Sequence, residues 1–356
     1  MRILVLPGDG IGPEITAATL EVLHGVSARF GLDLELIEDV VGHASLARHG
    51  ATVREELLSK AADSAGIILG PTATFEFKDA ARGEINPSMY FRKRLDLFAN
   101  IRPSRTYPNL PSPIGDFDLV IARENTEGFY ADRNMAEGNA EILVTPEVAI
   151  SLRRITRAAS DRIARAAFEL AMTRRKRVTI VHKANVLKVT DGLFIDSCQR
   201  IAADYPDVTV DAELIDAMVA HIVRKPSRFD VILTTNMYGD ILSDLTAELA
   251  GSLGLGASVN HGIDHGMAQA SHGSAPDIAG KDIANPFSLI LSTGLLLGWL
   301  GLKHASTPLM AAAKAIDIAV EGAVAEGETT RDIGGTFGTA DVGRRLARRI
   351  SATVPA

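Results

Sequence analysis

The chain opens on a short apolar run, residues 2–6 (RILVL), that stops at Pro-Gly-Asp-Gly and gives way to EITAATLEVLHGV, where apolar residues recur at helical spacing. A brief run closed by turn residues predicts a strand, and the spacing after it predicts a helix. The alternation recurs. Residues 65–69, 119–122, 178–182 and 231–235 are further short, mostly apolar runs, each followed within a few residues by Gly, Asn, Asp or Pro. Helical stretches are predicted over 146–173 and 192–204 between them. Strands alternating with helices in this rhythm imply an α/β fold with a parallel or mixed sheet. The longest apolar stretch, 287–302, is interrupted by Ser, Thr and Gly. It is shorter than the roughly 18 residues a membrane span needs and predicts a buried helix.

With 356 residues the chain is too long for one ordinary core, so two α/β lobes are expected. The Pro-rich stretch 103–115 is the first candidate hinge and the Gly-rich 251–263 the second. A net charge of -7 opposes nonspecific binding to a polyphosphate, so nucleic acid is not an expected partner. One cysteine, Cys198, permits neither an intrachain disulfide nor a multi-thiolate metal site, and the first apolar run is too short for a signal peptide. A cytoplasmic protein is expected, with no membrane contact. The basic cluster 174–177 lies between a helix and a strand and reads as a solvated turn.

Candidate chemistry concentrates in a few segments. In FDVILTTNMYGDILSDLTAEL (229–249) a strand runs through a loop into a helix bearing Asp240 and Asp244. Their i, i+4 spacing puts both carboxylates on one face, at a cost of about 0.2–0.5 kcal/mol. No Lys or Arg lies between Arg228 and Lys281 to neutralise them locally. A hard divalent cation would remove the penalty; the plain alternative is two solvated acids near a helix N-terminus. Arg92, Arg102 and Arg123 stand near turn residues and element ends, where they suit either a bidentate trap for substrate carboxylates or surface ion pairs. The opening GDGIGPE (8–14) is Gly-rich but is neither GxGxxG nor a Walker loop. Lys183 in VHKANVLK and Tyr130 are candidates for base and acid, although most lysines and tyrosines are neither.

Six segments, GDGIGPE, LDLFANIRP, RENTEGFY, VHKAN, TTNMYGDILSD and HGSAPDIAGKDIANP, occur in this order between residues 4 and about 335. Together they resemble the β-decarboxylating hydroxyacid dehydrogenases of the isocitrate and 3-isopropylmalate dehydrogenase family. The resemblance implies that family's fold, two α/β lobes around a central cleft and not a Rossmann fold. It places a discontinuous cofactor-binding domain at 1–97 and 250–356, and a central domain with the dimer interface and metal site at 98–249. It also implies NAD-dependent and Mg²⁺- or Mn²⁺-dependent oxidation of a 2-hydroxy di- or tricarboxylic acid at C2, with loss of CO₂, by a homodimer with shared sites.

Residue by residue, the match implies that Arg92, Arg102 and Arg123 clamp the malate carboxylates, with Asp240 and Asp244 holding the metal beside Asp216 of the neighbouring subunit. Lys183, also from the neighbour, accepts the C2 hydroxyl proton through water, and Tyr130 protonates the enolate. The cofactor is expected against Ile11, Thr72 and the run His272, Gly273, Ser274, Ala275, Pro276, Asp277, with Ile278 and Asn285. Asp277 followed by Ile278 favours NAD, because a carboxylate accepts from ribose hydroxyls but repels a 2′-phosphate. Asn125, His182 and 189–194 resemble the isocitrate, homoisocitrate, tartrate and D-malate branches, since isopropylmalate enzymes typically carry Leu and Asp at the first two positions. In INPSMYFR (85–92), Asn86 and Ser88 predict a polar substituent on C3, and with it the resemblance implies a (2R,3S)-3-substituted malate of isocitrate or homoisocitrate type. Isopropylmalate, D-malate and tartrate remain alternatives, as does a metal-dependent sensor without turnover.

Overall fold

The computed structural model describes residues 1–130, 134–135 and 140–352. Two compact units divide the chain: Met1–Leu95, Tyr107–Pro111 and Ala250–Ala356 form the first, Asp96–Thr106 and Ser112–Leu249 the second. The segment 98–249 is therefore not continuous. Tyr107 is buried, Asn109 donates to the Ala325 carbonyl at 2.8 Å, and these contacts hold 107–111 in the first unit.

In chain order the elements begin with β1 (Arg2–Leu6), α1 (Gly12–Phe30), β2 (Glu35–Glu38), α2 (Gly42–His49), α3 (Glu55–Ala62), β3 (Gly66–Leu69) and α4 (Pro87–Arg94). The second unit holds β4 (Ala99–Arg105), β5 (Asp118–Glu124), β6 (Glu141–Thr145), β7 (Val148–Ser151), α5 (Arg157–Met172), β8 (Arg177–His182), α6 (Thr190–Ala202), β9 (Thr209–Leu214), α7 (Ile215–Arg224), β10 (Val231–Thr234) and α8 (Asn236–Leu249). The chain closes with β11 (Val259–His261), β12 (Gly266–Gln269), α9 (Phe287–Lys303), α10 (Thr307–Ala325) and α11 (Thr339–Ala352).

In the first unit the strand order is β2-β1-β3-β12-β11, parallel except for β11 against β12. In the second it is β4-β5-β10-β8-β9, parallel except for β4 against β5. Both are mixed sheets covered by helices, as the alternating pattern implies. The central strands β1, β3 and β10 are apolar along nearly their whole length because both faces are covered. On α5, Ile163, Ala164, Ala167, Phe168 and Ala171 recur at helical spacing and pack with Val178, Ile180, Val231 and Leu233 into the second unit's core. The stretch 287–302 is the buried helix α9, and no helix among the described residues is long and apolar enough to cross a membrane.

One predicted helix is wrong over its first third. Residues 148–151 form β7, hairpinned with β6, and α5 starts only at Arg157 behind the capping Thr156. Val148, Ile150 and Leu152 alternate with Ala149 and Ser151, a period of two that the longer helical pattern beyond Thr156 masks. In the basic turn 174–177, Arg175 and Lys176 are exposed, as a solvated turn requires, while Arg174 and Arg177 are half-buried. Arg174 bonds the buried Asp230 at 2.8 Å, and Lys176 and Arg177 pair with Asp207 and Asp211.

Candidate active site

Within the second unit, Arg102 from β4 and Arg123 from β5 meet Asp240 and Asp244 on α8. Arg123 lies fully buried, with Nε and Nη2 on the Asn236 Oδ1 at 3.0 and 2.7 Å and Nη1 on Asp240 Oδ1. Its stem crosses α8 where residue 239 is glycine; a Cβ there would stand 2.6 Å from Arg123 Cγ. Arg102 donates to Asn100 Oδ1 at 2.8 Å and Ser243 Oγ at 2.7 Å, and its Nη1 lies 3.4 Å from both Asp240 and Asp244. The aspartates therefore have cationic partners after all, supplied by neighbouring strands rather than by adjacent sequence. Nor do the arginines all sit at element ends, since Arg102 is in the middle of β4.

Tyr130 completes this cluster, its hydroxyl donating to Asp240 Oδ2 and its ring 5.4 Å from the Arg123 guanidinium. Burial and the neighbouring Arg123 push Arg102 down to about 10, against the pull of Asp240 and Asp244. Burial raises the Asp244 carboxyl; Arg102 opposes the rise and Asp240 adds to it. Two carboxylates one helical turn apart offer hard oxygen donors, and their residual repulsion is what a divalent cation relieves, so the donor set fits Mg²⁺ or Mn²⁺.

Lys183 and Asp216 form a separate pair, with Lys183 Nζ 2.5 Å from Asp216 Oδ1. That bond from Lys183 is the main reason the Asp216 carboxyl lies below its ordinary range. Among the described residues no three Asp, Glu, His or Cys side chains gather to hold a metal, so Asp216 does not join Asp240 and Asp244 within one chain. The Lys183 N–H donates to Asp191 Oδ2 at 2.5 Å, and the buried Asp191 pairs through Oδ1 with Arg153. Arg153 in turn lies 5.2 Å from the Phe129 ring and 5.5 Å from that of Tyr238. It thereby links the Lys183 turn to the neighbour of Tyr130 and to α8. Sequence reading missed this hub, because a buried arginine leaves no periodic signal. His182 is kept below its ordinary pKa by burial and accepts from the Ala184 N–H at 3.1 Å; the Asn125 amide is fully buried and donates to the Leu97 carbonyl at 2.9 Å.

In the first unit, three loops expected to meet the cofactor converge on one another. Ile11 N–H donates to the Ser274 carbonyl at 2.8 Å and Asp9 N–H to the Pro71 carbonyl at 2.7 Å, while the Asp9 carboxylate accepts from His43 and Ala73 N–H. Gly10 has φ +58°, and a Cβ there would stand 1.9 Å from the Ser274 oxygen, so this contact requires glycine. Thr72 Oγ1, Ser271 Oγ and His272 Nε2 are buried without a partner. Burial lowers the His272 pKa, which leaves a neutral imidazole. Orphaned polar atoms beside a glycine-dependent loop fit a polar cofactor. Gly273, Pro276 and Asp277 are exposed, Ala275 takes φ +36°, and Ile278 N–H closes the turn onto its carbonyl at 3.2 Å. Asn285 is occupied internally: its amide nitrogen reaches Asp332 at 2.9 Å and its oxygen accepts from Phe287 N–H.

On α4, Asn86 is the N-cap, accepting from Met89 N–H at 3.2 Å. Ser88 and Arg92, one turn apart and both buried, donate to the Gln269 Oε1 at 2.9 and 2.7 Å.

Comparison with known proteins decides the family. Residues 2–346 match the model of the isocitrate/isopropylmalate dehydrogenases. The chain belongs to that family. Among similar proteins, the 3-isopropylmalate dehydrogenase of Methanothermobacter thermautotrophicus is 40% identical over 98% of both chains. The isocitrate/homoisocitrate dehydrogenase of Thermus thermophilus is 42% identical over 94% of both. The crystal structure of isocitrate dehydrogenase from Methylococcus capsulatus superposes with a TM-score of 0.87 at 35% identity, covering 98% of this chain and 99% of that one. As a member of the isocitrate/isopropylmalate dehydrogenase family, the protein is an oxidoreductase of the decarboxylating hydroxyacid dehydrogenase class.

Proposed function

We propose that the chain is an NAD-dependent, Mg²⁺- or Mn²⁺-dependent dehydrogenase that converts a (2R,3S)-3-substituted malate of isocitrate or homoisocitrate type to a 2-oxo acid, CO₂ and NADH. The observation that carries this reading is the balanced cluster of Arg102, Arg123, Asp240, Asp244 and Tyr130. In it two cations and two anions neutralise one another. A polycarboxylate that takes over the buried arginines unpairs the partly exposed aspartates, and a cation on those aspartates turns their repulsion of it into attraction, so each favours binding of the other. When bound, the cation would stabilise negative charge on the C2 oxygen and NAD⁺ would accept the hydride.

In this reading Arg92, Arg102 and Arg123 hold the substrate carboxylates, and Asn86 and Ser88 meet its C3 substituent. Tyr130 delivers a proton to C3 once CO₂ has left. Thr72, His272 and the 273–278 turn hold the dinucleotide, with Ile11 and Asn285 against it and Asp277 accepting from the adenine ribose. Lys183 and Asp216 serve the site of a second copy, Lys183 taking the C2 hydroxyl proton through water. Two observations support a homodimer: Asp216 stands apart from Asp240 within the chain, and the β6–β7 hairpin is exposed throughout, with Leu143 71% and Ile150 47% accessible. A lone two-stranded sheet with apolar faces in water is only marginally stable. Steady-state assays with NAD⁺ or NADP⁺, Mn²⁺ and a panel of isocitrate, homoisocitrate, 3-isopropylmalate, D-malate and tartrate test the proposal. It expects NADH formation fastest with a carboxylate-bearing substituent, and a preference for 3-isopropylmalate would overturn the substrate assignment.

A further inference from the structure

The side chain of Gln269 has no part in the reading above, although it is the point on which Ser88 and Arg92 converge. Its backbone is fixed on both sides: the N–H donates to the Ser258 carbonyl at 3.1 Å and the carbonyl accepts from Ser292 Oγ at 3.0 Å. Its side-chain orientation is fixed as well. A guanidinium can only donate, so the amide atom 2.7 Å from Arg92 Nη2 must be the oxygen, and Ser88 Oγ donates to the same atom at 2.9 Å. The amide –NH₂ is thereby turned away from both. It bonds to none of the described residues and is not among the buried orphaned atoms, so ligand or water reaches it.

We infer that Gln269 is a specificity-determining residue, its amide –NH₂ donating to a carboxylate at the end of the substrate's C3 substituent. The inference rests on the proposed reaction and deepens it. Gln269 is neutral, so its contact with Arg92 is a hydrogen bond and not an ion pair, and it sets a directed donor beside that cation. An anionic acceptor gains from both. An isopropyl group would strip water from the –NH₂ and return nothing, which is how a polar site rejects an apolar analogue.

The test compares wild type, Gln269→Glu and Gln269→Met on isocitrate, 3-isopropylmalate and D-malate with NAD⁺ and Mn²⁺. The readout is the ratio of kcat/KM values between substrates for each protein, so any loss of folded enzyme cancels. Gln269→Glu should cut the isocitrate to D-malate ratio by about 10- to 100-fold, mainly through KM, because a repelling carboxylate replaces the donor. Gln269→Met should cut it by about tenfold and raise the relative rate on 3-isopropylmalate. Ratios within twofold of wild type in both variants overturn the role of Gln269 while leaving the reaction class standing. A wild-type enzyme inactive on all three substrates takes down the underlying reading, and the inference with it.

Discussion

In the first unit the loops proposed to hold the cofactor are joined through backbone and leave Thr72 Oγ1, Ser271 Oγ and His272 Nε2 buried with no partner, whereas in the second unit Arg102, Arg123, Asp240 and Asp244 satisfy one another. The two arrangements store their readiness differently. A ligand entering the first finds hydrogen-bonding groups already desolvated and held in place by the Gly10 contact, and it gains their bonds at little cost in rearrangement. A ligand entering the second must displace internal ion pairs: a lone cation on the partly exposed aspartates leaves the buried arginines uncompensated, and a lone anion on the arginines meets the repulsion of the aspartates it has unpaired. The first arrangement suits a cofactor shared by many reactions. The second suits an acid bound only with its metal.

The largest expected effect breaks the second arrangement. Asp240→Asn and Lys183→Ala should each abolish turnover, and Asp240→Asn should also cost about 1–3 kcal/mol of stability, because the fully buried Arg123 loses its charged partner. Refolding a mixture of the two inactive variants tests the division of the site between copies. Random pairing gives about half mixed dimers, each with one intact site, so roughly a quarter of wild-type activity should return. Mixed dimers verified by mass spectrometry that stay inactive would show a site contained in one chain. Tyr130→Phe is next in size. It removes one hydroxyl, and product formation should fall by about 10²- to 10⁴-fold while substrate still binds. Wild-type turnover in that variant would exclude Tyr130 as the proton donor.

How much of this was legible in the sequence differs between the same two regions. The mixed α/β architecture and the strands β1, β3, β5, β8 and β10 follow from short apolar runs ended by turn residues, a local signal. The Asp240 and Asp244 spacing is local too, and it shows in the sequence. Their neutralisation is not local: Arg102 and Arg123 lie more than a hundred residues away and reach α8 only because β4 and β5 pair beside β10. The same limit hid Gln269, which matters only because β12 places it against α4, and Arg153, whose partner Asp191 lies on α6. The β6–β7 hairpin was misread for a different reason, two periodicities adjoining without a Gly between them.

A smaller change should act on the first unit alone. Asp277→Lys with Ile278→Tyr replaces a carboxylate that repels a 2′-phosphate by an ammonium that attracts it, in an exposed turn where solvent weakens both. The NAD⁺ to NADP⁺ ratio of kcat/KM should fall by about 10- to 100-fold. The substrate ratios measured for Gln269 should stay put. A change in substrate preference with unchanged cofactor preference would reverse the division of labour drawn above.

The smallest effect concerns a polar contact in the second unit that its charges do not balance. Glu127 is 2% exposed and accepts from Thr156 N–H at 2.7 Å and Thr156 Oγ1 at 2.9 Å, tying the segment before Tyr130 to the start of α5. Burial raises its pKa from 4.5 to about 7; the bonds from Thr156 and the charge of Arg154 oppose the rise, and Glu124 adds to it. An acid with a raised folded pKa binds more protons folded than unfolded between those values. Stability must therefore fall as pH rises from 4.5 to 7, by at most about 3–4 kcal/mol at 1.36 kcal/mol per unit, and stay level beyond. Glu127→Gln keeps an acceptor for Thr156 but cannot ionise. Measured by urea denaturation, its stability relative to wild type should improve between pH 5 and pH 8 by about 1–3 kcal/mol, since every other group titrates alike in both proteins. A difference that stays constant across that range would mean that Glu127 ionises normally, and that the second unit holds its charges in balance at this contact as it does between the arginines and aspartates.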